Sequence, residues 1–207
     1  MQYTKEFLSR WELKKRERKS SKLICGVAIN DADFAPAIHG DLHPAYCVWK
    51  NILTRCFTDD HLVRNSAYKN STVSDEWLSF NSFYTWWKSN HVIGYHIDKD
   101  LLSSNNIYSS ETCLFIPRWL NNFTLGKAAG RGDLMIGVSM SRKAGLFYSR
   151  ICVDGKLVYI KSFKNEIDAH NSWLQAKKSL ALKKKPEMDA IDIRIYPRVV
   201  EIIEGLK

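Results

Sequence analysis

The spacing of apolar residues changes from helical to alternating partway along this chain, and that change limits what the chain can fold into. In the first part, apolar side chains recur at helical intervals: Tyr46, Trp49, Ile52, Leu53 and Cys56, then Phe80, Phe83, Tyr84 and Trp87. After a glycine-rich hinge, Gly126-Lys127-Ala128-Ala129-Gly130-Arg131-Gly132, the interval drops to two. Val138, Met140, Phe147, Ile151, Val153, Val158 and Ile160 then fall on one face of three short strands, and Ser139, Ser141, Tyr148, Arg150, Tyr159 and Lys161 on the other. Asp154-Gly155 is a two-residue hairpin signal. Asn165 caps a helix whose Ala169, Trp173, Ala176 and Leu180 suit packing on the apolar sheet face. The class is α+β: helices supporting a strand-loop-strand-helix unit, then a three-stranded antiparallel sheet packed on one helix.

Four regions follow from this patterning. Residues 1–40 read as a basic N-terminal helix over 3–20, with Phe7, Leu8 and Trp11 on one side, and a polar connector from 21. Lys14, Lys15, Arg16, Arg18 and Lys19 either solvate the end of that helix or lie along a phosphate backbone. Residues 41–125 carry the two aromatic helical stripes, which serve core packing, with base stacking as the alternative. Residues 133–185 form the sheet-helix module and end on Lys183-Lys184-Lys185, a solvated helix end or a phosphate contact. In 186–207, Ile191, Ile193 and Ile195 read as a strand and the residues from Pro197 as an amphipathic helix, which docks on the body or makes a homodimer.

The residues with the most chemistry lie in one stretch: Gly94-Tyr95-His96-Ile97-Asp98-Lys99-Asp100, then Asn105-Asn106-Ile107-Tyr108, then Cys113 to Asn122. It reads as a strand, a polar loop, a second strand and a helix that starts on Pro117. With the helix folded back, Asn121 faces Asp98, an oxygen pair suited to a hard divalent cation.

At these residues the chain resembles the HNH nucleases, in particular small phage and homing endonucleases whose motif runs Asp-His, an Asn-rich loop, a strand and a helix with a metal-binding Asn. Asp98, Asn105, Asn106 and Asn121 match that motif. The resemblance implies Asp98 and Asn121 as ligands of Mg2+ or Mn2+. Lys99 stands at the position of the family's catalytic His, and a protonated lysine cannot accept a proton from water. His96, on the same strand face as Asp98, or a metal-bound water, is then the candidate base.

The sheet-helix module resembles the plant ethylene-response-factor DNA-binding domain, which also occurs fused to HNH nucleases in phages. The matching residues are Gly137-Val138, Gly145 to Ile151, Tyr159 to Phe163 and Glu166 with Ala169. The resemblance implies that the polar sheet face enters the DNA major groove, with Arg150, Tyr159 and Lys161 as contacts and Ser139, Ser141, Lys143 and Tyr148 beside them. Fewer arginines stand on this face than in the plant pattern, which favours backbone contacts over base readout.

Thirty-one Lys and Arg against 22 Asp and Glu give a formal charge of +9, which favours an anionic partner such as double-stranded DNA. Five scattered cysteines without a Cys-x-x-Cys pair suggest reduced thiols and a cytoplasmic site, that of the host if the chain is phage-encoded. No signal peptide or membrane span is expected. Two functional readings remain: a metal-dependent DNA endonuclease or nickase, and a nuclease-fold protein without chemistry that binds DNA or engages a host protein.

Overall fold

The computed structural model describes residues 1–16, 22–59, 63, 70–126, 133–141 and 143–206. The chain divides into two compact units, Met1–Arg118 and Trp119–Lys207, and each is described by itself. Arg18, Lys19, Lys127, Arg131 and most of the residues between 60 and 69 lie outside the described residues.

The first unit is built on aromatic rings. Helix α1 (Lys5–Glu12) buries Leu8 and Trp11, α2 (Pro44–Phe57) buries Trp49, Ile52 and Leu53, and α3 (Phe80–Asn90) buries Phe80, Phe83, Tyr84 and Trp87. The helical stripes are therefore core faces. Trp77, in a 3-10 turn over Asp75–Leu78, is fully buried, and its carbonyl accepts the Trp49 indole N–H at 2.7 Å. This satisfies the donor of Trp49, whereas the buried Trp77 indole N–H has no hydrogen-bond partner among the described residues.

Two expectations for the N-terminal region are corrected. α1 stops at Glu12, because Lys14 to Arg16 run extended beside residues 33–35: the Ala35 amide donates to the Lys14 carbonyl and the Arg16 amide to the Asp33 carbonyl. The connector is also part of the core. Ala28, Ala32 and Phe34 are buried, and Asp31 accepts from the Ser79 hydroxyl (2.7 Å) and the Asn81 amide (2.8 Å), fixing the start of α3. Short strands β1 (Ala37–Ile38) and β2 (Asp41–Leu42) pair antiparallel just before α2.

Strand β3 (Thr72–Val73) pairs in parallel with β5 (Ile107–Tyr108), so the loop read as polar contains a strand of its own. β4 (Tyr95–Asp98) pairs antiparallel with β6 (Leu114–Pro117), from Tyr95 opposite Pro117 to Asp98 opposite Leu114. Helix α4 (Arg118–Thr124) follows at once, one residue later than expected: Pro117 ends the strand and does not open the helix.

In the second unit, β7 (Val138–Ser141), β8 (Leu146–Val153) and β9 (Lys156–Phe163) form an antiparallel sheet with β8 central. Helix α5 (Glu166–Asp189) covers one face, its start fixed by Asn165, whose side chain accepts from the Asp168 amide at 2.8 Å. Ile136, Ile151 and Trp173 form the core there. Met140 and Val158, expected on the buried face, are 49% and 43% exposed, whereas Val153 and Ile160 pack against the core.

The tail differs from its expected form. α5 continues through Pro186, and residues 191–195 form no strand. Pro186 lies on the exposed side with Leu182, whose carbonyl it leaves without an amide, so water can serve that group. The Asp192 carboxylate accepts from the Arg194 amide at 2.9 Å and turns the chain into α6 (Ile195–Gly205). Ile195, Val199 and Ile203 of α6 are fully buried within the chain. All five cysteines are free, and no helix among the described residues is long and apolar enough to cross a membrane.

Candidate nucleic-acid interface and hairpin cluster

The face of the sheet turned away from α5 carries the expected polar row. Side chains of directly opposed residues share a face. Ser139, Tyr148 and Ser162 therefore stand side by side, as do Arg150 and Tyr159. The Arg150 guanidinium lies 5.5 Å from the Tyr148 ring centroid, and the rings of Tyr148 and Tyr159 meet edge to face at 5.9 Å. Tyr159 is 55% exposed. The Arg150 amide donates to the Gly137 carbonyl at 2.8 Å, which fixes the strand at the edge of a cleft of about 300 Å³ lined by Ile136, Ser139, Arg150 and Leu157. Ser141 accepts from the Ala144 amide in the turn, and Lys143 is exposed in that turn.

Lys161 departs from its expected face. The register shifts between Ser149 and Arg150, so that Ser149 opposes Lys161 while Arg150 opposes Tyr159, and Ile160 is the extra residue. A bulge of this kind reverses the alternation beyond it. Lys161 thus falls in line with Ser149, which is fully buried on the α5 side, although the lysine itself is exposed. Ser162 takes the outward position instead, a substitution that period-two reading cannot see.

The charge is uneven. Trp119–Lys207 carries 16 Lys and Arg against 9 Asp and Glu, and therefore seven of the nine net positive charges.

In the first unit, the β4–β5 loop closes around Lys99. Its side chain is 3% exposed; the ammonium ion-pairs with Asp100, donates to Asn106 Oδ1 at 3.1 Å and lies 5.6 Å from the Tyr108 ring centroid. Asn106 holds a positive φ of 55°, a conformation that asparagine tolerates well. Asp98 Oδ1 accepts the amides of Asp100 (3.0 Å) and Leu101 (2.8 Å), so the carboxylate shapes the turn. Burial raises the Asp98 pKa above the ordinary carboxylate value, and these amides pull it part of the way back. His96 is exposed and lines a shallow cleft of about 150 Å³ with Asn51, Arg55 and Tyr95.

These residues do not fit a hard divalent cation. An ammonium already stands between Asp100 and Asn106, and one oxygen of Asp98 is committed to two amides. Among the described residues no group of three or more His, Cys, Asp or Glu side chains is placed to hold a metal ion.

If Lys99 is the internal cation of this loop, Lys99→Met, which keeps the stem but removes the charge, should destabilise the first unit by about 2 kcal/mol, the scale of hydrogen bonds to a charged group. Urea unfolding followed by tryptophan fluorescence measures this. An unchanged midpoint would mean that the ammonium holds nothing.

Compared with protein-family models, with curated proteins and with solved structures, the chain matches none.

Proposed function

We propose that this chain is a double-stranded-DNA-binding protein that meets the duplex with the uncovered face of the β7–β8–β9 sheet and acts by occupancy. The observation that carries this reading is the outward row of Tyr148, Arg150 and Tyr159, a guanidinium beside the Tyr148 ring, which in turn meets the Tyr159 ring, on an open face of the strongly cationic unit. An arginine so placed can take a phosphate oxygen or a base edge, and the tyrosines offer hydroxyls and apolar edges to the backbone. The endonuclease reading is set second, because the loop that would hold the metal is closed by Lys99.

Fluorescence-anisotropy titration of a labelled duplex at two salt concentrations tests the proposal. Binding should weaken steeply with salt. Arg150→Ala should cost about 1–3 kcal/mol of affinity with little change in thermal midpoint, since the side chain lies on the uncovered face. Absence of binding at low salt would overturn the reading. Nicking of supercoiled plasmid in magnesium or manganese, abolished by Asp98→Ala, would put the endonuclease in its place.

A further inference from the structure

The second unit contains a cleft of about 340 Å³ that the DNA reading does not use. Trp119 and Phe123 of α4 form one wall, Asp154 of the β8–β9 turn another, and Lys177 and Lys184, seven residues apart on α5, a third. Each ammonium rests against a ring: Lys177 Nζ is 3.7 Å from the Phe123 centroid and Lys184 Nζ 5.1 Å from that of Trp119. The rings therefore fix where the two charges point.

The lysines differ in their partners. Lys184 is ion-paired to Glu187 at 2.8 Å. Lys177 is half-buried, and among the described residues no carboxylate forms an ion pair with it. A partly desolvated cation without a counter-ion, opening on a cleft, calls for an anion. Consistent with this, burial pushes the Lys177 ammonium down to about 8. Asp154 is the only carboxylate among the cleft's described lining residues and Lys184 is already paired to Glu187, so Lys177 is the cation left open to a ligand. The aromatic wall and the Asn122 amide favour an anion that carries an organic group.

We propose that this cleft binds a phosphate monoester, with Lys177 and Lys184 as its cationic contacts and Trp119 and Phe123 as the wall for its organic part. The ester can come from a free nucleotide or from the 5′-phosphorylated end of a DNA strand. The site is separate from the sheet face and does not depend on the DNA reading.

Lysine labelling by reductive methylation of the full chain, read by peptide mass spectrometry, tests it with AMP, adenosine, and duplexes bearing a 5′-phosphate or a 5′-hydroxyl. AMP, and not adenosine, should slow labelling of Lys177 several-fold while exposed Lys156 on β9 is unaffected. Lys177→Met and, separately, Lys184→Met, each keeping the stem over its ring, should weaken AMP binding in calorimetry by about tenfold at unchanged circular dichroism. Protection by the 5′-phosphate duplex alone, beyond that by the 5′-hydroxyl duplex, would assign the site to strand ends. Protection by neither AMP nor the phosphorylated end, or equal protection by adenosine, would overturn the proposal.

Discussion

Gly137→Ala is expected to unfold the sheet-helix unit. A Cβ at this position would lie 2.0 Å from Trp173 Cγ, 2.2 Å from Cδ1 and 2.5 Å from Cδ2, distances at which atoms overlap. The indole cannot retreat, because it is buried against Ile136 and Ile151. The backbone raises a second obstacle: φ is +80°, a conformation that costs an L-residue roughly 1–2 kcal/mol. Forced overpacking adds about 1–3 kcal/mol, for a total near 4 kcal/mol, a large part of a small domain's stability. Gly145→Ala is the control, since its φ is +62° but nothing lies within 4 Å of the added carbon, so only the backbone cost remains. Hydrogen exchange resolved by peptide should show β8 and β9 losing protection in Gly137→Ala while α2 keeps its own. Equal effects of the two substitutions would mean that Trp173 does not press on Gly137.

Acid should weaken the first unit well before its carboxylates are protonated. His43 is fully buried in a cage of rings, its centroid 5.5 Å from Trp11, 5.4 Å from Phe34, 5.3 Å from Tyr84 and 5.6 Å from Trp87. Nδ1 accepts the Ala45 amide at 3.1 Å and so caps α2, which leaves the ring proton on Nε2, an atom without a hydrogen-bond partner among the described residues. A second proton would turn Nδ1 into a donor facing that amide. Burial first, then the nearby His91 and Lys88, lower the His43 pKa from 6.5 to about 4. A folded-state value below the unfolded one means that the unfolded chain takes up the proton first. The stability contributed is complete above pH 6.5 and is lost as pH falls toward 4, about 3 kcal/mol over that window. His91, also lowered mainly by burial, acts in the same direction, whereas Asp98, raised by burial, opposes it at the acid end. Urea midpoints near pH 6.5 and near pH 4 measure the loss, and His43→Asn, which can still cap α2, should flatten the dependence while lowering stability at neutral pH. A wild-type midpoint that does not fall across this window would refute the assignment.

The parts of the fold that were legible in the sequence are those where one periodic face does the packing. Trp49, Ile52 and Leu53 on α2 and Phe80, Phe83 and Trp87 on α3 announce their helices because each stripe is buried along its length. Asn165 and the alternation through β8 are legible for the same reason. The stretch over residues 22–40 was not, because it is held by single bridges and by side chains such as Asp31 bonding to backbone, and neither leaves a period. Ile191, Ile193 and Ile195 alternate like a strand, yet Ile193 is 77% exposed and Ile195 fully buried at the start of a helix; the turn at Asp192 decides the outcome. At the candidate interface, Tyr148, Arg150 and Tyr159 were readable from alternation, and Ser162 was not, since a bulge moves the phase by one residue. Lys177 carried a faint signal, a lysine four residues after Trp173 on the packed side of its helix.

The loop after β4 supplies its own counter-ion. Loops rich in aspartate and asparagine commonly take their shape from a dissolved metal, and lose it when the metal is removed. Here the cation is covalently part of the chain, in the form of the Lys99 ammonium between Asp100 and Asn106. A loop held in this way is expected to keep its shape in chelator and through swings in divalent-ion concentration.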